Sequence, residues 1–160
     1  MANPIRVGLG LDFHKLKRGE SLILGGVEYD FPKGTVAFSD GDVLIHAICD
    51  AILGAAGLGD IGVHFPDNDP AYHNISSLKL LSKVVKKIAG AGYKVRNVDS
   101  TLVLQEPNIS SRREEMVENI ERIVSAPVNI KATTPEKMGF IGSGDGVGGQ
   151  AIAAVEERVD

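Results

Sequence analysis

The chain has 160 residues, 43% of them hydrophobic and 24% charged, which is the composition of a globular protein with room for one domain. Its net charge of −4, with no Lys/Arg cluster larger than a pair, disfavours nucleic-acid binding, and no apolar run approaches the roughly 20 residues that span a bilayer. With no signal-peptide pattern at its start and a single cysteine, Cys49, the sequence predicts one cytoplasmic domain over residues 1–160 without an intrachain disulfide.

The first half of the chain predicts a strand, a hairpin and two helices, from hydrophobic periodicity and turn residues. The hairpin turns at Gly25-Gly26. The first helix opens at the SDGD stretch, whose serine and aspartates suit a cap and a first turn. The predicted elements are a strand at 4–13, the hairpin at 21–30, a helix from 39–42 to 57–59, a loop at 60–75 and a helix from Asn74 or Ser76 to Gly90.

The second half continues as strand, helix and strand. A third helix follows Pro107 and starts at Ser110 or Ser111. The final stretch AIAAVEERV suits a helix or a strand, and its position after a glycine-rich loop favours a last strand. The other strands are predicted at 93–105 and 128–133. This order predicts an α+β or mixed α/β fold in two layers.

A carboxylate and an imidazole interrupt the first apolar strand, within GLDFHKL. Asp12 and His14 are two residues apart, so both side chains point to the same face of a strand. His46 on the first helix completes a set of two histidines and a carboxylate, which suits Zn²⁺ or another divalent ion. Asp50, one helical turn later, is predicted to orient the His46 imidazole. The alternative is an ordinary surface pair and a histidine satisfied in the core.

Three further stretches predict polar sites, each with a plainer alternative. SDGD at 39–42 is either a helix cap alone or a helix entrance facing a phosphate, which needs a nearby metal because of its aspartates. DIGVHFPDNDP at 60–70 is either a surface loop or a source of acceptors for a metal or substrate hydroxyls. ATTPEKMGF at 132–140 either caps a helical turn after Pro135, or offers hydroxyls to phosphate and Glu136 to a hard cation.

Together these stretches resemble the family of 2-C-methyl-D-erythritol 2,4-cyclodiphosphate synthases, enzymes of the non-mevalonate isoprenoid pathway. The resemblance covers essentially the whole chain, and the motifs occur in the family's order. Its anchors are GLGLDFHKL, SDGDVLIHAICDAILGAAGLGDIGVHFPD, NVDSTLVLQEP and NIKATTPEKMGF.

The resemblance implies an intramolecular phosphoryl transfer. The 2-phosphate of 4-diphosphocytidyl-2-C-methyl-D-erythritol 2-phosphate attacks the β-phosphate of the same molecule, which releases CMP and forms the cyclic diphosphate. The implied fold is a two-layer α+β domain, with a mixed four-stranded sheet and helices on one side. The implied assembly is a homotrimer, with active sites between subunits and a central cavity that can hold an isoprenoid diphosphate.

Carried over by position, the resemblance implies two metal sites, a catalytic pair and a substrate pocket. Asp12, His14 and His46 match the ligands of Zn²⁺, and Glu136 matches a ligand of Mg²⁺ or Mn²⁺ on the diphosphate. Thr134, a transition-state stabiliser, and Asp60 are implied as catalytic. The implied substrate contacts are Asp12, His14, Phe38, Ser39, Asp60, Ile61, Gly62, Phe65, Pro66, Asp67, Asn68, Asp69, Leu104, Pro107, Thr133, Thr134, Glu136 and Phe140.

Three positions depart from the family. Phe38 stands where a histidine contacts the substrate phosphates, and losing such a donor typically costs on the order of 10²–10³ in rate. Asn108 replaces a common lysine near the nucleotide, and Ser143 replaces a basic residue that faces the cavity. These changes leave a second hypothesis open, a catalytically weak homologue that binds metal, CMP or isoprenoid diphosphate. A metal-dependent phosphohydrolase is a third, although no residue is predicted to position a water for attack.

Overall fold

The structure is a computed structural model that describes residues 3–159. Its strands are β1 Ile5–Arg18, β2 Leu22–Leu24, β3 Val27–Tyr29, β4 Lys33–Val36, β5 Tyr93–Val103, β6 Val128–Thr133 and β7 Gly146–Glu157. Its helices are α1 Val43–Ala56, α2 Ile61–His64, α3 Ser77–Gly90, α4 Arg113–Val124 and α5 Gly139–Gly142, with 3₁₀ turns at Pro70–Tyr72 and Ser110–Arg112. None of the described helices is long and apolar enough to cross a membrane.

One mixed sheet forms the first layer, and it has five strands rather than the four that the resemblance implied. The strand order is β4-β1-β7-β5-β6, in which β5 and β6 run parallel and the other neighbours run antiparallel. The additional strand is β4, which pairs with the end of β1 at one edge of the sheet. Its four residues, KGTV, follow Pro32 and contain Gly34, so they show too little alternation to predict a strand.

The hairpin of β2 and β3 and the final strand β7 are confirmed. The first strand is longer than predicted, because pairing with β7 continues to Lys15 and residues 15–18 pair with β4.

The second layer consists of the long helices, with α1 packed directly on β1, β7 and β5. Two glycines on β1 allow this close approach. A Cβ atom added to Gly10 would lie 1.8 Å from the Ala47 carbonyl oxygen, and one on Gly8 would lie 2.1 Å from that of Ala51. Helix α1 is covered by the sheet below and by α3 beside it, so it is buried on nearly all sides. The thiol of Cys49, on this helix, is buried as well.

Asp42 connects the hairpin to the start of α1. Its carboxylate accepts the N–H groups of Gly25 at 3.0 Å, Gly26 at 2.7 Å and Ile45 at 3.2 Å, the last as the predicted N-cap bond. Complete burial raises its pKa to about 6 despite these bonds. The entrance of α1 is therefore fixed relative to the β2–β3 turn.

Two segments between the long elements differ from the prediction. The predicted loop at 60–75 contains α2 and a 3₁₀ turn, each too short to show helical periodicity. The predicted helical turn after Pro135 is wrong. Glu136 and Lys137 have φ angles of 54° and 61°, and the Met138 N–H donates to the Pro135 carbonyl at 3.0 Å, as in a tight β-turn of the primed type.

Candidate active site

Strand β1 and helix α1 bring Asp12, His14 and His46 together. The Asp12 Oδ2 atom lies 2.8 Å from His14 Nε2 and 3.1 Å from His46 Nδ1, and the two ring nitrogens are 3.1 Å apart. The i, i+2 spacing on β1 places the first two side chains on the face that packs against α1, as predicted. One atom from each of the three residues lies within 4.8 Å of the others, so the cluster could bind a metal ion.

The charges within this cluster favour a bound cation. Burial opposes ionisation of Asp12, but hydrogen bonds with His14 and His46 outweigh it and lower the pKa of Asp12 to about 2. Burial likewise opposes protonation of His46, but the Asp12 carboxylate outweighs it and raises the pKa of His46. A carboxylate that stays ionised beside two imidazoles is a donor set that fits Zn²⁺ or a similar divalent ion.

The other ring nitrogen of His46 does not contact Asp50, so the predicted orienting role of that residue is wrong. His46 Nε2 lies 2.9 Å from Ser77 Oγ and 3.1 Å from Ser39 Oγ. Asp50 instead accepts the Ile61 N–H at 2.8 Å and holds the start of α2. Residues one turn apart share a helix face, but the His46 ring turns its Nε2 edge towards the start of α3.

A recess of about 510 Å³ opens beside the cluster, and we call it the metal recess. Phe38 lies in its wall with its ring centroid 5.1 Å from that of the exposed His73. The predicted site residues that line the recess are Asp12, His14, Phe38, Ser39, His46, Ile61, Gly62, Phe65, Pro66, Asp67 and Asn68. Asp60 and Asp69 do not line the recess, although each is next in sequence to a residue that does. Both act as N-caps, accepting the N–H groups of Val63 at 3.0 Å and Ala71 at 2.9 Å.

A second recess of about 540 Å³ lies between the segment 104–110 and the end of β6, and we call it the nucleotide recess after the role proposed for it below. It shares no lining residue with the metal recess. Of the predicted site residues it contains Leu104, Pro107, Thr133 and Thr134. Glu136 lines neither recess and is exposed, with its Oε1 atom 3.4 Å from the Thr134 hydroxyl. Phe140 is also exposed and packs edge-on against Phe13.

The model of the YgbB family matches residues 5–156 of this chain. A curated 2-C-methyl-D-erythritol 2,4-cyclodiphosphate synthase from Desulfatibacillum aliphaticivorans is 51% identical over 155 residues, which cover 95% of this chain and 100% of the relative. This chain belongs to the YgbB family.

Solved structures related to the YgbB-family chain share its fold. The bifunctional IspDF from Campylobacter jejuni has a TM-score of 0.93 at 37% identity, and the match covers 98% of this chain and 43% of that chain. The IspF of Plasmodium falciparum, solved as a CDP complex, has a TM-score of 0.84 at 33% identity, with 99% and 100% covered.

Several residues of this YgbB-family site were missed by the sequence reasoning. Ala37, Tyr72, Ile75 and Leu80 complete the wall of the metal recess. Tyr72 and Ile75 fall in the predicted loop, which gave no orientation for them, and Leu80 lies in the predicted second helix. Ser77 lies next to the predicted start of the second helix, and no sequence pattern connected it to His46. Arg113 lines the nucleotide recess, and its buried Nε atom has no hydrogen-bond partner among the described residues. A cation in the first turn of a helix is unfavourable because of the helix dipole, and this position in α4 was the available signal that Arg113 has another role.

Proposed function

We propose that the chain converts 4-diphosphocytidyl-2-C-methyl-D-erythritol 2-phosphate into 2-C-methyl-D-erythritol 2,4-cyclodiphosphate and CMP, and so acts as a lyase of the non-mevalonate pathway. An oxygen of the 2-phosphate bonds to the β-phosphorus, and the bond from that phosphorus to the bridging oxygen breaks, so CMP leaves with the electron pair. The observation that carries this proposal is 51% identity over 95% of the chain to a curated synthase. Because both reacting groups belong to one molecule, the protein has to fold the substrate and offset its charge.

The proposed metal ligands follow from the donor atoms. Asp12, His14 and His46 would hold Zn²⁺, since their three ligand atoms converge on one point at the edge of the metal recess. Glu136 would hold Mg²⁺ or Mn²⁺ together with the substrate diphosphate, since hard cations prefer carboxylate oxygens. Once bound, these ions would polarise the phosphoryl oxygens and offset the negative charge that develops on them.

The two recesses suit the two ends of the substrate. We assign the erythritol phosphate to the metal recess, where Ser39 can donate a hydrogen bond to a phosphate. Ile61, Gly62 and residues 65–68 of its wall would contact the erythritol, together with Asp60 and Asp69, which adjoin them in the chain. We assign the cytidine to the nucleotide recess, where Leu104, Pro107 and Thr133 lie, with the Thr134 hydroxyl beside the transferring phosphate. The proposed catalytic residues are Thr134 and Asp60.

The separation of these recesses supports a homotrimer with active sites between subunits. A single substrate has to reach the Asp12 cluster and the nucleotide recess, which share no wall within one chain. A partner subunit would supply the missing half, including Glu136. The face of β1 that points away from α1 also carries apolar side chains with exposed fractions of 52 to 69%, which a neighbouring subunit would cover. These side chains are Ile5, Val7, Leu9, Leu11 and Phe13.

A part of this apolar face that the neighbouring subunit leaves uncovered would line a central cavity in the trimer. It suits the hydrocarbon of an isoprenoid diphosphate, but Ser143 offers no positive charge for the diphosphate and donates to Asp145 at 2.7 Å instead. We therefore expect such a ligand to bind weakly.

We also propose that residues 1–160 form one domain, which is supported by a family match that spans residues 5–156, and that this domain acts in the cytoplasm.

Phe38 favours a second candidate, a slow homologue that mainly binds metal or CMP. Its carbon ring lines the metal recess and can neither donate a hydrogen bond nor carry charge. Replacing it tests this alternative. We expect Phe38→His to raise the turnover of a synthase that is slowed by the missing donor. Unchanged turnover in an active enzyme would mean that other donors, such as Ser39, already replace the histidine.

The deciding experiment is turnover of the diphosphocytidyl substrate, followed by phosphorus NMR. We expect CMP and the cyclodiphosphate in equal amounts, loss of both on chelation, and recovery when Zn²⁺ and Mg²⁺ are returned together. Binding of CMP without any product would support the slow homologue. Inorganic phosphate as the main product would instead support a phosphohydrolase.

A further inference from the structure

Ser77, the first residue of α3, connects His46 to Asp40 inside the protein. Its side chain is fully buried, and its Oγ atom lies 2.9 Å from His46 Nε2. The same hydroxyl donates to Asp40 Oδ1, and the Ser77 backbone N–H donates to Asp40 Oδ2 at 2.9 Å. The Asp42 N–H donates to Asp40 as well, at 3.1 Å. The three groups therefore form a continuous hydrogen-bonded chain that ends at the imidazole.

The direction of this chain follows from the number of protons available. A serine hydroxyl has one proton to donate, and an ionised carboxylate can only accept. Since three donors converge on Asp40, the Ser77 proton is directed to that carboxylate. Ser77 Oγ then faces His46 with a lone pair, and His46 Nε2 has to carry the ring proton. The lone pair of the neutral ring is left on Nδ1, the atom beside Asp12 and His14.

We propose that Asp40 and Ser77 are positioning residues that hold His46 in the tautomer protonated at Nε2, so that Nδ1 is available to a divalent cation. This inference deepens the proposed function, because it rests on the metal site proposed above. Asp40 and Ser77 thereby have a role in the metal site. That role goes beyond capping a helix or lining a recess. Partners of this kind fix the orientation of a ligating histidine and raise its affinity for metal.

Ser39 does not do the same task, although its Oγ atom is 3.1 Å from the same nitrogen. It accepts the Gly41 N–H at 3.3 Å and lies at the wall of the metal recess. Among the described residues, His46 Nε2 is the single acceptor in reach of its own proton, so the Ser39 hydroxyl is free to donate or accept according to whether that nitrogen carries a proton. Ser77, by contrast, is buried and has its proton committed to Asp40.

The backbone keeps this arrangement rigid. The Asp40 N–H donates to the Ile75 carbonyl at 3.1 Å, and the Asn74 N–H donates to the Phe38 carbonyl at 2.9 Å. The segment before α1 and the segment before α3 are therefore held together next to the Asp40–Ser77 contact. This explains how a serine 31 positions after His46 reaches its ring with fixed geometry.

The first test needs no substitution. In metal-free protein with isotope-labelled histidine, at a pH above the His46 titration, a long-range proton–nitrogen correlation spectrum identifies the protonated ring nitrogen. We expect the proton of His46 on Nε2. A proton on Nδ1 would overturn the inference, and this result does not depend on whether the chain turns over any substrate.

The second test measures Zn²⁺ affinity by competition with a chromophoric chelator. We expect Ser77→Ala to weaken Zn²⁺ binding by about 10- to 100-fold, the usual effect of removing a histidine's hydrogen-bond partner, and Ser77→Thr to restore most of it. The matched control is Ser100→Ala, which removes another buried serine hydroxyl that donates to the Asn129 carbonyl at 2.9 Å. Equal Zn²⁺ affinities in the Ser77→Ala and Ser100→Ala variants would overturn the inference.

Asp40→Asn gives the sharpest contrast. The asparagine amide can donate to Ser77 Oγ, which frees the serine proton to point at His46 and favours the tautomer protonated at Nδ1. We expect this variant to move the ring proton in the spectrum and to lower Zn²⁺ affinity at least as much as Ser77→Ala does. An unmoved proton would contradict the proposed direction of the chain. In the parent protein, absent turnover together with the expected tautomer and Zn²⁺ affinity would count against the proposed reaction alone.

Discussion

The two faces of β1 differ in the size, polarity and exposure of their side chains. The face towards α1 carries Gly8, Gly10, Asp12 and His14, and the opposite face carries Ile5, Val7, Leu9, Leu11 and Phe13. On the first face, small residues bring the helix so close that an imidazole of α1 reaches two side chains of the strand. On the second face, large apolar side chains stay exposed. One alternating strand thus builds a buried polar site and an apolar contact surface.

Gly10 is where this contrast is easiest to break. We expect Gly10→Ala to lower the free energy of unfolding by at least about 3 kcal/mol, because its Cβ atom would lie 1.8 Å from the Ala47 carbonyl and would force α1 away from the sheet. Urea unfolding measures the change. The matched control is Gly54→Ala in the last turn of α1, where the added atom meets nothing within 4 Å. That control should gain about 0.5–1 kcal/mol, and equal effects of the two substitutions would contradict the close approach.

The polar part of the inner face can be removed without altering the packing of the glycines. We expect His14→Ala to reduce Zn²⁺ affinity by more than about 100-fold, beyond the usual loss for an outer partner, because one of three ligand atoms is gone. Turnover should fall in parallel. Chelator competition measures the affinity, with His73→Ala as the histidine control outside the cluster. Similar affinities in the two variants would mean that metal binds elsewhere.

The outer face is tested by placing a charge on it. We expect Leu11→Asp to convert a trimer into monomers, because a carboxylate would be buried against a neighbouring subunit without a partner. Sedimentation equilibrium gives the mass, and circular dichroism should show the folded chain retained. Val159→Asp, at another exposed apolar residue near the chain end, should leave the mass unchanged. A Leu11→Asp protein that remains trimeric would place the subunit contact on another surface.

The sequence predicted the inner face well because its signals are local. Alternation on β1 placed Asp12 and His14 on one side, and His46 on the first helix was the predicted third member of the set. The partner of His46 could not be found in this way. Spacing on one helix pointed to Asp50, whereas the contact comes from Ser77, on another helix and fixed by tertiary packing. The short edge strand β4 was missed for a similar reason, since its pairing with β1 stabilises it more than its own residues do.

The smallest expected effect distinguishes two carboxylates, the half-buried Asp12 on β1 and the fully buried Asp42 at the start of α1. Asp12 has imidazoles beside it and its pKa is lowered to about 2, whereas burial raises the pKa of Asp42 to about 6. Between pH 4 and 6 the native state therefore holds a proton on Asp42 that the unfolded chain releases, so stability falls as the pH rises through this window. With metal removed by chelator, we expect this fall to amount to about 2–3 kcal/mol.

Asp42→Asn should remove that part of the pH dependence. The variant is expected to be less stable near pH 4, because an amide nitrogen cannot accept a hydrogen bond, whereas both oxygens of the parent's protonated carboxyl group can still accept the N–H groups of Gly25 and Gly26. The measurement is the difference in unfolding free energy between the two proteins from pH 4 to 7, in which the other titrating groups cancel. A difference that does not change with pH would mean that Asp42 is ionised throughout. The three backbone N–H bonds would then replace its hydration as effectively as the imidazoles do for Asp12.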